Sequence, residues 1–136
     1  MIDIATLQAL NAPTREERLE NLQKAVQTAS FPEANPVYIN YHIHTTYSFS
    51  PYSPAAAVFA AKAEGLCTAG IVDHDTTAGA EEFIEAGKIA DMPVTVGMEA
   101  RVSMQDTPLS AVHTNNPDQS GICLLYTSDA ADDMQC

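Results

Sequence analysis

Three of the four histidines stand where metal chemistry could be done. His42 and His44 are one residue apart in NYHIHTTY, and His74 lies between two carboxylates in IVDHD. Glu99 follows in VGMEA. A neutral imidazole offers one nitrogen lone pair and a carboxylate offers two oxygens. Such donors on one face can share one divalent ion. Side chains alternate along a strand, so His42 and His44 point one way while Ile43 points back. Taken alone, an HxH pair is more often two hydrogen-bonded polar residues than a metal site, and the neighbouring segments must decide.

Those segments order the chain into alternating elements. Thr14-Arg15-Glu16-Glu17 has capping-box form, and Leu19, Leu22 and Val26 recur at helical spacing. An amphipathic helix over 15–29 follows, ended by the prolines of FPEANP. Val37 to His42, β-branched and aromatic, reads as a strand. TTYSFSPYSP is a loop. Ser53 then caps a helix with Pro54 in its first position, and Gly65 closes it. Cys67 to Val72 is a short apolar strand with Asp73, His74 and Asp75 at its carboxyl end. A helix over 78–90 precedes a strand from Pro93 to Met98, with Glu99 at or just past its end. Strand–helix–strand–helix–strand order predicts an α/β fold, parallel and with right-handed crossovers. Parallel strands bring their carboxyl ends to one rim, where α/β proteins bind ligands. His42, His44, His74 and Glu99 thus converge, and Glu99, with two oxygens, is the natural bridge between two ions. For Asp73 and Asp75 there are quieter roles: capping the next helix, or orienting His74.

Composition narrows the partners. The formal charge of -12, with six Lys and Arg, argues against nucleic acid as the main partner. No stretch reaches the roughly 18 apolar residues of a membrane span, and the first 30 residues carry no signal-like apolar run. The expected setting is the cytoplasm. Cys67, Cys123 and Cys136 form neither a paired disulfide framework nor a CxxC zinc site, and Cys67 reads as a buried small hydrophobe.

HIHTTYS, then IVDHD about thirty residues on, then GMEARV together resemble the opening motifs of the PHP (polymerase and histidinol phosphatase) domain family. The resemblance covers roughly residues 36 to 122. It implies the N-terminal part of a distorted (βα)7 barrel, here preceded by an amphipathic helix. Such barrels bind two or three divalent ions at the carboxyl rim, and most characterised members hydrolyse phosphoesters. Carried over by residue, it makes His42 and His44 ligands of a first metal, Glu99 a bridging ligand and His74 a ligand of a further metal. Asp73 matches the aspartate before that histidine. His74 and Asp73 are the candidate catalytic residues, and a small phosphorylated molecule is the expected substrate. Oligomeric state is not readable.

Departures from the family pattern limit this. Asn40 stands where many members carry Asp, and Phe49 and Ser50 occupy the likely positions of a third-metal ligand. His113, in VHTNNPD, reads as an exposed loop histidine rather than a further ligand. The hydroxyls of Thr45, Thr46, Ser48 and Ser50 either contact phosphate or merely satisfy their own loop. Two other functions stay open: a non-catalytic metal-binding or scaffolding domain, and C–N hydrolysis as in amidohydrolase barrels, against which DHD and Glu99 argue.

The tail CLLYTSDAADDMQC breaks the pattern. It shows no periodicity, contains no Lys or Arg, and resembles the conceptual translation of a sequencing adapter. The expected division is a helical segment and linker over 1–35, a partial PHP domain over 36–122 and a non-native tail over 123–136. So divided, the chain is a C-terminally truncated piece with an open sheet edge, and it should be inactive by itself.

Overall fold

The computed structural model describes residues 2–116 and 119–126. Four helices precede or alternate with the first three of four strands. They are α1 (Ile4–Leu10), α2 (Arg15–Thr28), β1 (Asn35–Ile43), α3 (Pro54–Ala63), β2 (Leu66–His74), α4 (Ala80–Ile89), β3 (Val94–Ser103) and β4 (Ile122–Tyr126). The strands form one sheet in the order β1-β2-β3-β4. β1, β2 and β3 run parallel, as the alternation of elements requires, whereas β4 pairs antiparallel to β3. This is an α/β fold whose three parallel strands follow one another in chain order, as the opening of a βα barrel requires. No described helix is long and apolar enough to cross a membrane.

Local chemistry explains most boundaries. Thr14 and Glu17 close a reciprocal capping box on α2, and Ser53 caps α3 with Pro54 in its first turn. Gly65, just past the end of α3, sits at φ +76, a conformation glycine adopts without penalty. α1 was not anticipated: it is seven residues long, too short to show a period, and is capped by Asp3. β3 extends to Ser103, beyond the expected end at Met98, because β4 lies against it from Ser103↔Ile122 to Glu99↔Tyr126. β4 is itself a correction, since the segment from residue 123 reads without periodicity. The remainder of the expected tail, 127–136, lies outside the described residues. Among the cysteines, Cys67 is free and half-buried rather than buried.

All the helices collect on one face of the sheet. Leu10, Leu22, Val58, Phe59, Ile71, Phe83 and Ala86 form the core between them, with Ile43 and Val94 packed against it. The N-terminal helices belong to this layer. Buried Glu82 on α4 receives the Arg18 guanidinium of α2 through Nε at 2.9 Å and Nη2 at 2.5 Å. That pairing raises the Arg18 pKa. α1 braces the loop after β1: Ser53 Oγ donates to Leu10 O at 2.5 Å, and Asn11 bonds Pro51 O and Ser53 N. The other face of the sheet has no helical layer among the described residues. On β1, Val37, Tyr38, Ile39 and Tyr41 are all exposed.

Candidate metal centre

Alternation along each strand decides what faces that open side. Ile43, Ala69, Ile71 and Val94 point into the helical core, so the residues one position away point to the opposite face. These are His42 and His44, then Gly70, Val72 and His74, then Thr95, Gly97, Glu99 and Arg101. The β2–β3 register pairs His74 with Glu99 directly. Gly70 lets the strands close up: a Cβ there would lie 2.5 Å from Thr95 Oγ1 and 2.9 Å from Tyr41 Cα.

The four expected ligands meet. Glu99 Oε2 lies 3.3 Å from His42 Nε2, 3.4 Å from His44 Nε2 and 3.5 Å from His74 Nε2. His42 Nε2 and His44 Nε2 are 3.1 Å apart. Yet Oε2, buried with a side chain only 3% exposed, accepts no hydrogen bond. Buried polar atoms are rarely left so. The separations explain it. Donors held about 2.0–2.1 Å from one ion in tetrahedral or octahedral array stand roughly 2.8–3.4 Å from each other. His42, His44 and Glu99 satisfy that spacing, and among the described residues they form the one cluster able to share an ion. The residues present therefore fit a divalent cation. His74 reaches Glu99 but falls outside that cluster of three.

Surrounding residues set the orientation and protonation of this cluster. Burial, then the neighbouring His42, lowers the His44 pKa, keeping a lone pair free at neutral pH. Asp73 is 1% exposed, and its backbone position sends its carboxylate toward the loop after β1, not the open face. It accepts from Thr45 N at 2.6 Å, Thr45 Oγ1 at 2.5 Å and Ser48 Oγ at 2.8 Å. Ser48 Oγ is in turn 3.3 Å from His44 Nδ1. An Asp73–Ser48–His44 chain results, which fixes the ring and turns Nε2 toward Glu99. Neither aspartate caps α4, whose N-cap is Gly79. The loop hydroxyls of Thr45, Ser48 and Ser50 bond within their own surroundings.

Asp75 takes a left-handed conformation, φ 55, just past β2. Its N–H donates to Glu99 O at 2.9 Å, and its carboxylate accepts from the Arg101 backbone N–H at 2.8 Å and from the Arg101 guanidinium. The Arg101 N–H first, and then its guanidinium, hold the Asp75 pKa below the usual carboxylate value. Phe49, at the position expected for a third-metal ligand, instead lays its ring 4.5 Å from His44 and 5.0 Å from His74. His113 is exposed in a loop and outside the cluster. A cleft of about 660 Å³ opens over the histidines, lined also by Tyr47, Phe49 and Arg101. Sequence reading passed over Arg101. Its position two residues beyond Glu99 in a strand was the available signal, because that spacing puts both side chains on one face.

Comparison with known proteins follows the same lines. A family model for the PHP domain matches residues 40–133. A solved structure from Bifidobacterium adolescentis ATCC 15703, provisionally named a metal-dependent phosphoesterase, is 33% identical over 53% of this chain and 26% of its own, with a TM-score of 0.48. The chain thus spans about a quarter of that protein's length. No curated protein matches.

Proposed function

Because the chain belongs to the PHP domain family, we propose that its histidine–glutamate cluster is the N-terminal part of a divalent-metal centre that hydrolyses phosphoesters. One observation carries this reading: a buried carboxylate oxygen that accepts no hydrogen bond although three imidazole nitrogens aim at it from 3.3–3.5 Å. His42, His44 and Glu99 would hold a first ion. His74, together with Glu99, would hold a further one, and two or three ions of zinc, manganese, magnesium or iron complete the proposal. A cation so held supplies an acidified water as nucleophile and neutralises charge on the phosphoryl group.

The chain's own residues prepare that chemistry. Glu99 puts a formal negative charge where water is excluded, so that a cation is favoured there. Burial keeps His44 neutral, and the Asp73–Ser48 chain fixes its ring. Asp73, first read as catalytic, is thus better described as a positioning residue. His74 is 20% exposed at the cleft, and where it is not taken up as a ligand it can donate a proton to the leaving oxygen.

The proposed substrate is a small phosphorylated molecule, handled in the cytoplasm, with neither membrane nor nucleic acid as main partner. The charge of -12 supports the last point. The 136 residues alone should turn over negligibly, since exposed Val37, Tyr38, Ile39 and Tyr41 leave β1 an uncovered edge. Robust phosphatase activity from this chain would contradict that. For the function itself, a longer homologue carrying these residues would be assayed on phosphomonoesters and cyclic amides, with and without Mn²⁺ or Zn²⁺. Metal-dependent release of phosphate is expected. Metal retention without turnover would favour a scaffolding domain, and amide cleavage would favour C–N hydrolysis.

A further inference from the structure

The chain has only six Lys and Arg, and five are engaged around the helices. Arg15 pairs with Glu81, Arg18 with Glu82, Lys24 with Glu20 and Lys88 with Glu85, while Lys62 lies over the Phe31 ring. The sixth, Arg101, is the one Lys or Arg among the described residues that line the histidine cleft. Its side chain is 56% exposed. Asp75 grips it from one side only: the backbone N–H, Nε and Nη2 all donate to that carboxylate. Among the described residues, none accepts a hydrogen bond from Nη1. Asp75 sits at φ 55, a left-handed conformation that few non-glycine residues adopt. Bonded to β3 at both its N–H and its carboxylate, Asp75 holds the guanidinium in one orientation.

A fixed guanidinium with a free edge is a receptor for a planar or tetrahedral oxyanion. Its setting suits that role. The chain carries a formal charge of -12, and Glu99 is a carboxylate of the same cleft, so an approaching dianion meets repulsion unless a cation receives it. We propose that Arg101 is the anion-recognition residue of the cleft: its outward Nη1 edge binds non-bridging oxygens of a terminal phosphoryl group and restricts the site to phosphomonoesters over uncharged amides. This inference rests on the phosphoesterase reading and names its substrate class.

Inorganic phosphate is the probe, titrated calorimetrically into the chain with and without Mn²⁺, while Mn²⁺ affinity is measured in a separate titration. Arg101→Ala should weaken phosphate binding about ten- to a hundredfold, the span of one charge-assisted contact, and leave Mn²⁺ affinity within about threefold. Arg101→Lys should recover part of the loss, because charge returns without the fork. If Arg101→Ala does not fold, Arg101→Gln, which keeps much of the stem, should show the same loss. Phosphate binding that is undetectable in the unaltered chain, or unchanged by the Ala and Gln variants, overturns the proposal. Phosphate binding through Arg101 without any Mn²⁺ binding upholds the anion site and counts against the metal reading alone.

Discussion

Glu99→Gln separates a functional carboxylate from a structural one by the sign of its effects. The substitution keeps side-chain shape but removes the oxygen that is buried and accepts no hydrogen bond. A buried polar group without a partner costs about 1–3 kcal/mol, and a Gln amide can donate to one of the three imidazoles around it. The cation-free variant should therefore melt a few degrees above the unaltered chain. With cation present, the order reverses. A ligand at a hundred times its Kd stabilises the folded state by about 2.7 kcal/mol. For a chain of 136 residues that corresponds to a rise of roughly 8–14 °C. Glu99→Gln should lose most of this rise, since it lacks the charged oxygen common to all three histidines. The assay is a thermal melt followed by circular dichroism, with chelator and then with Mn²⁺ or Zn²⁺. A variant that melts lower without cation, yet keeps the full cation-dependent rise, would refute the argument. Glu99 would then be holding the sheet, not an ion.

Other outcomes follow from the packing. Arg18→Ala strands the buried Glu82 carboxylate and should cost about 3–5 kcal/mol in urea unfolding, the usual penalty for breaking a buried pair from one side. Gly70→Ala would place a methyl 2.9 Å from the Tyr41 backbone and should destabilise by about 1–3 kcal/mol through overpacking, seen as a lower urea midpoint. The Glu17 pKa is lowered by the Thr14 hydroxyl and then the Thr14 N–H, so its folded value lies below its unfolded one. Its stabilisation is complete above the unfolded value of 4.5 and fades as pH falls through the folded value. Helix content followed from pH 6 to 3 should show this loss in the unaltered chain and a weaker one in Glu17→Gln.

The strand–helix alternation, the capping box at Thr14 and Glu17 and the Ser53-Pro54 helix start were legible in the chain itself, because each depends on neighbours a few positions apart. So was the shared face of His42 and His44, which needs only the two-residue period of a strand. Distances between segments were not. The convergence of His74 on Glu99 depends on a register that pairs them across β2 and β3. The route from Asp73 through Ser48 to His44 joins residues 25 apart, and only the return of the loop after β1 over the end of β2 creates it. β4 escaped notice since its strand character comes from pairing with β3, not from any period of its own. The sequence by itself determined which donors the chain offers and which face each would share. The tertiary structure decided that Glu99 lies in the middle of a strand with a buried, unsatisfied oxygen, and that Arg101 stands beside it, because burial and register are properties of strands packed together.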